Sequence, residues 1–247
     1  MQQLVKTKAR VFLIITVALI MIIISAPITY SFNPAIQRSV KKIYYKIQNL
    51  KEEPATIKLD VPYHRQEHSL SCEIAALKMA LDYYGLKISE SDLIKELVFN
   101  TKDSRSKNNI WGDPDLGFVG NIDGKIPNGG YGVYEDPIIT LAVKYKNAKK
   151  ISGSDLSVIL KEVSAKHPVI VWGSTASGKD ISWRTETGKK VKAVYGEHAR
   201  LIIGFAGTIN KPTAIILHDP IYGTIRMSRE NFLRDWSLLD NKAVVIF

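Results

Sequence analysis

The chain has 247 residues, 45% of them apolar, and a formal net charge of +10. This composition supports one folded domain with a sizeable core and excludes a disordered or repeat protein. Its single cysteine excludes an intrachain disulfide and argues against a structural zinc site. The basic charge comes without aromatic-interleaved basic runs or a recognition helix, so no nucleic-acid partner is expected.

Residues 1–10 form a basic tail with Lys6, Lys8 and Arg10. Residues 11–30, VFLIITVALIMIIISAPITY, are long and apolar enough to cross a bilayer as a helix. They read as a transmembrane anchor with the N-terminus inside. The rival reading is a signal peptide cut after Ser25-Ala26, where Pro27 would be a poor next residue. Either way the rest of the chain is exported, as a single-pass membrane protein with its domain outside the cytoplasm or as a secreted one.

Residues 31–55 read as a basic amphipathic stalk. Ile36, Val40, Ile43, Ile47 and Leu50 share one helical face, and Arg38, Lys41, Lys42 and Lys46 lie mostly elsewhere. Such a helix suits anionic lipid or a cell-wall polymer, pairs with a second copy, or packs on its own domain.

Residues 56–247 read as the folded domain. A strand is expected over Ile57–Val61 and a helix over 72–84, stopped by Gly85. Ser89 opens a second helix through Val98. The Gly-, Asn-, Asp- and Pro-rich stretch 100–136 reads as one long loop. Asp136 opens a third helix, and Ser154 caps a fourth ending near Lys166. Strands follow at Pro168–Trp172, Ile181–Thr185, Val191–Val194, Arg200–Phe205 and Ala214–His218. Ser228 caps a short helix and Ala243–Phe247 closes the chain as a strand. Helices first and a mostly antiparallel sheet after them predict an α+β fold.

Cys72 begins an amphipathic helix. A helix N-terminus favours a thiolate, the nucleophilic form of cysteine, although a lone cysteine is more often a small buried apolar residue. Gln66, six residues upstream, can join the Cys72 backbone N–H in holding an oxyanion. A thiol needs a base. Of the five histidines, His198 stands just before a strand, where it can face a helix N-terminus. Asp219 ends the next strand and can orient His198 if the two strands pair. His218 neighbours Asp219, and His167 reads as a helix cap.

Two apparent motifs are set aside. His64, His68 and Cys72 are spaced by four, but Pro62 argues against a helix carrying the first two, so no metal is expected there. GSTASGKD (173–180) resembles a phosphate-binding loop, but it ends in Asp180 and leads into ISWRTE, which reads as strand rather than helix. No nucleotide and no cofactor are expected.

DVPYHRQEHSLSCEIAALKMALDYYG (60–85) resembles the start of a C39-like peptidase domain, in which a Gln precedes the nucleophilic Cys by six residues. WGDPDLGFVGN (111–121) with YGVYEDPI (131–138) resembles that family's central Gly-rich loop. WRTETGKKV (183–191), GEHARLIIGF (196–205) and HDPIYG (218–223) resemble its C-terminal half. The resemblance implies a papain-like fold and a thiol peptidase or amidase acting on a peptide or protein substrate. It implies Cys72 as nucleophile, His198 as base, Asp219 as its orienter and Gln66 at the oxyanion. The same residues would serve an acyltransferase or transpeptidase, and a non-catalytic binding module for peptide or cell-wall ligands is a third reading.

Overall fold

The computed structural model describes residues 34–50 and 54–247. The expected span 11–30 lies outside the described residues, and among those described no helix is long and apolar enough to cross a membrane. Two compact units divide at Leu50. In the first, helix α1 (Pro34–Leu50) takes up most of the expected stalk. Ile36, Val40, Ile43 and Ile47 are exposed along it.

The second unit opens with β1, a strand of only Ile57–Lys58. Helix α2 (Cys72–Tyr83) follows, ending two residues before Gly85. It is buried on almost every side, including Cys72, Glu73, Ile74, Leu77 and Leu81. A helix apolar all round belongs inside a domain, and Ala75, Ala76 and Ala80, all fully buried, let its backbone lie close to neighbouring elements. Helix α3 (Glu90–Glu96) is capped by Ser89, whose side chain accepts the Asp92 N–H, and is shorter than expected.

The stretch read as one loop is not structureless. It contains β2 (Phe99–Thr101), β3 (Phe118–Gly120) and β4 (Gly130–Gly132), a small sheet in that order. Indole N–H groups pin the rest: Trp111 donates to Asp103 O, Trp183 to Gly112 O and Trp172 to Val133 O, each at 2.7–2.9 Å. Glycine-rich strands of three residues carry no alternation that a sequence reading can detect.

Helix α4 (Glu135–Ala142) leads to β5 (Ala148–Lys150) and α5 (Leu156–Ser164), where Asp155 rather than Ser154 is the N-cap residue. Then come β6 (Val169–Ser174), the short pair β7 (Trp183–Arg184) and β8 (Lys190–Val191), β9 (Glu197–Gly207), β10 (Pro212–Asp219) and β11 (Gly223–Ser228). Helix α6 (Arg229–Trp236), capped by Ser228, and β12 (Ala243–Ile246) close the chain. β5 and β11 were not expected, and β9 starts earlier than expected, so that His198 lies inside it.

The main sheet runs β11-β10-β9-β6-β12-β5, with every neighbouring pair antiparallel. β9 is long enough to pair with β6 through Glu197–Ile202 and then with β1 at Gly204 and Phe205. The fold is α+β, as the order of elements predicts. After β6, residues 175–182 form no helix, so the segment resembling a phosphate loop lacks the helix N-terminus that such a loop requires.

One irregularity positions the site. Ile216 pairs with Gly204, but Leu217 pairs with Ile202 and His218 with Leu201. The extra residue, Ile203, makes a bulge in β9. A slip of one residue exchanges the two faces of a strand. The bulge therefore brings Asp219 to the face of β9 that carries His198 and Arg200.

Candidate active site

Cys72 is the first residue of α2 and is buried. Its Sγ accepts the Ala199 N–H at 3.3 Å and donates to Glu73 Oε2 at 3.2 Å. Glu73 Oε1 in turn accepts the Val133 N–H at 2.7 Å. Trp172 holds the carbonyl of the same residue, so Val133 is fixed from both sides. Glu197, the first residue of β9, completes the group: Cys72, Glu73 and Glu197 each offer a ligand atom, all within 4.8 Å of one another.

Gly132 makes this approach possible. A Cβ there would stand 2.5 Å from Glu73 Oε1 and 2.7 Å from Glu197 Oε2, and its φ of +147° is one that side-chain-bearing residues rarely adopt.

The electrostatics oppose a thiolate. Burial pushes the Cys72 thiol up, and the Glu73 and Glu197 carboxyls push it further in the same direction. The expected lowering by the helix N-terminus is overridden, because the thiol is out of water and its close charge partners are acids. Burial likewise pushes Glu73 up to about 7, opposed by the Val133 N–H. Glu197 rises well above the usual range through burial and the Glu73 charge. Resting Cys72 is a neutral thiol.

His198 and Asp219 form a second group. His198 is the second residue of β9, and its Nε2 lies 3.0 Å from Asp219 Oδ1. Burial alone would raise the Asp219 carboxyl. The imidazole of His198, the Arg200 guanidinium and the Ile221 N–H overturn that and hold it well below the usual range. An ionised carboxylate only accepts, so Nε2 carries the proton and Nδ1 keeps the lone pair. Burial lowers the affinity of His198 for a second proton, against the pull of Asp219. The ring is neutral near pH 7, with Nδ1 as the basic atom.

Arg200 locks this arrangement. Its Nε donates to Asp219 Oδ2 at 2.7 Å, NH1 to Asp235 Oδ2 at 2.8 Å and NH2 to Ser174 O at 3.1 Å. Gly173, paired with His198 across the sheet, leaves room for this, since a Cβ there would collide with the Asp235 carboxylate.

The structure therefore brings His198 to Asp219, and brings Cys72 against the peptide bond joining His198 to Ala199. No hydrogen bond joins Sγ to the His198 ring. Adjacent residues of a strand point to opposite sides: Glu197 turns towards Cys72 and Glu73, and His198 towards Asp219. Gln66 donates its Nε2 protons to His68 O and Ser69 O at 2.7 and 2.9 Å, so its amide N–H groups serve the turn before α2.

The other histidines have structural partners. His218 Nε2 donates to Val61 O at 2.9 Å and its Nδ1 accepts from Thr224 Oγ1 at 3.0 Å. His64 meets Glu90, His68 meets Asp123 and His167 meets Glu162. His64, His68 and Cys72 thus do not converge. The sequence reading missed Glu73, Glu197, Arg200 and Asp235. Arg200 did leave a signal, being a charge inside the otherwise apolar run ARLIIGF.

The chain is similar to one family profile and to three known proteins. The profile of the Peptidase_C39 like family matches residues 58–244. YvpB, an uncharacterized protein of Bacillus subtilis (strain 168), is 29% identical over 183 residues, which are 71% of this chain and 68% of that protein. A crystal structure from Bacillus anthracis, assigned to the C39-like peptidases, is 26% identical and superposes with a TM-score of 0.66, covering 79% of this chain and 98% of that one. A looser likeness joins the chain to a double glycine motif protease from an AMS/PCAT transporter, solved in complex with its leader peptide, with 17% identity, a TM-score of 0.42 and coverage of 79% and 99%. On the match over residues 58–244, the chain belongs to the Peptidase_C39 like family.

Proposed function

We propose that this chain is a cysteine peptidase or amidase that hydrolyses a peptide or peptide-like amide outside the cytoplasm. The observation that carries the reading is the His198–Asp219 pair at 3.0 Å, one residue from the backbone N–H that touches Cys72 Sγ. A nucleophile at a helix start, with a base oriented by a buried carboxylate on two neighbouring strands, is the constellation that thiol catalysis needs.

Turnover begins when Sγ turns away from Glu73 towards His198 Nδ1, to which it passes its proton. The thiolate then attacks the substrate carbonyl. The backbone N–H of Cys72 stabilises the oxyanion, joined by Gln66 if its amide leaves the His68 and Ser69 carbonyls. Collapse forms a thioester and releases the amine, which takes the proton from His198. Water, deprotonated by His198, cleaves the thioester and restores the thiol. Asp219 holds the ring through both steps.

Residues 11–30 would tether the domain to the membrane. The helix Pro34–Leu50, with Arg38, Lys41, Lys42 and Lys46 beside exposed isoleucines, suits an anionic lipid surface or cell-wall polymer. The inward, neutral thiol favours a second reading, a binding module that holds peptides without cleaving them.

The test is incubation of the full chain in detergent with a peptide library, read by mass spectrometry. Cleavage by the wild type, lost in Cys72→Ala and in His198→Ala with circular dichroism unchanged, supports the peptidase. Equal cleavage by Cys72→Ala overturns it, and peptide retention without cleavage in all three favours the binding module. Added amine nucleophile, appearing in the product, would identify acyl transfer.

A further inference from the structure

We propose that Cys72, Glu73 and Glu197 form a binding site for one divalent transition-metal ion of the zinc type, which holds Cys72 as an inert metal thiolate. Three donors come together from the first turn of α2 and the start of β9, with their ligand atoms within 4.8 Å of one another. In a tetrahedral zinc site the metal–sulfur and metal–oxygen distances of about 2.3 and 2.0 Å set neighbouring donors roughly 3.5 Å apart. Sγ and Glu73 Oε2 already stand at 3.2 Å. A small adjustment by Glu197 would close the triangle.

The independent observation is Glu197 itself. It is 5% exposed, and its Oε1 is buried with no hydrogen-bond partner. A buried acceptor left without a donor is costly, on the order of 1–3 kcal/mol, and here it lies beside two further donor groups, the Cys72 thiol and the Glu73 carboxyl. Arg200, whose charge acts on Glu197, directs its Nε, NH1 and NH2 groups to Asp219, Asp235 and Ser174. A divalent cation would meet the orphaned oxygen, let both carboxyl groups ionise side by side and take the thiolate as its third ligand. The thiol proton and any carboxyl proton would leave to solvent, with no change of oxidation state.

The donor chemistry selects the ion. A thiolate with two carboxylates prefers zinc, cobalt or cadmium to magnesium or calcium, which favour oxygen throughout. Three protein donors leave a fourth position for water. A metal-bound Cys72 can neither turn to His198 nor attack. That consequence for turnover rests on the peptidase reading, while the site itself does not.

The test uses the full chain in detergent, stripped with chelator, with cobalt(II) as the spectroscopic probe and zinc as the competitor. One equivalent of cobalt should produce a near-ultraviolet thiolate charge-transfer band that zinc abolishes, and zinc should protect Cys72 from iodoacetamide. Glu197→Gln should weaken cobalt binding by about 100-fold, since loss of a direct ligand should cost at least as much as loss of a supporting contact. Glu73→Gln serves if that variant fails to fold. His64→Ala, in the separate His64–Glu67–Glu90 cluster, should change nothing. Cobalt binding without a thiolate band, equal binding by Glu197→Gln, or protection by magnesium as effective as by zinc overturns the site. Zinc protection in a chain that cleaves no peptide would leave the site standing and count against the peptidase alone.

Discussion

Replacing Glu73 by glutamine should make the protein more stable at alkaline pH and leave it nearly unchanged at acid pH. Glutamine copies the protonated acid: its carbonyl can accept the Val133 N–H, and its amide takes the place of Oε2 beside Cys72. Glu73 is fully buried and its carboxyl is pushed up to about 7, chiefly by burial, from an ordinary 4.5. A raised folded-state value means that the folded chain binds the proton more tightly than the unfolded one. Its stabilising effect is complete below pH 4.5 and is lost as pH rises through 7. The gap corresponds to about 3 kcal/mol. Glutamine suffers no such loss, so the difference between variant and wild type should open across this window and level off above it. Urea unfolding of both proteins from pH 4.5 to 8.5, with chelator present, measures it. For a domain of this size the alkaline difference amounts to roughly 1 M in the urea midpoint. The other titrating groups are common to both proteins and cancel, except Glu197 and Cys72, which the Glu73 charge raises and which glutamine therefore relieves in the same direction. A difference that stays constant with pH, or a wild type that gains on the variant as pH rises, would refute a buried, proton-holding Glu73.

Four further outcomes are expected. Iodoacetamide should label native Cys72 only above the range of a free thiol, about pH 8.5, and Glu197→Gln should move labelling to lower pH by removing one of the two charges that raise the thiol; mass spectrometry of the labelled peptide reads both. Arg200→Met should cost about 3–5 kcal/mol in urea unfolding, because it leaves Asp219 and Asp235 without their buried partner. Gly132→Ala should cost about 1–3 kcal/mol by the same assay, from its backbone conformation and the carboxylates it would meet. Asp219→Asn should lower peptide turnover more than His218→Asn, since Asp219 fixes the His198 tautomer whereas His218 bonds Val61 and Thr224; kcat of the two variants decides it.

The elements legible in the sequence are those with a period and a stop. Helix 72–83 ends at its glycine signal, and the apolar runs of β6, β9, β10 and β12 read as strands because nothing polar interrupts them for long. The three-residue strands β2–β4 are illegible, since Gly130-Tyr131-Gly132 has no alternation and owes its place to pairing with β3 and to the distant Trp172 N–H that holds the next residue, Val133. At the site, residue type and order point to Cys72, His198 and Asp219, yet no local pattern reveals the bulge at Ile203 that puts Asp219 on the His198 face. Nor does a helix start announce a raised thiol. The helix N-terminus acts in every such helix, whereas burial, the adjacent Glu73 and Glu197 from a distant strand act together only here.

Glu197 and His198 are neighbours in one strand, and that adjacency links the two halves of the site. Because their side chains leave on opposite sides of β9, the same short segment supplies an acid to the thiol and a base to Asp219. Any movement of the start of β9 must therefore shift both groups together. A peptide substrate that pairs with this end of the strand, or displaces Glu197 from Cys72, would lower the cost of the thiolate at the moment it presents a carbonyl for attack. The inert resting thiol is then a consequence of the geometry that positions the base: the strand register that gives His198 its carboxylate obliges the preceding residue to face the nucleophile, and a glutamate there keeps that nucleophile protonated until something intervenes.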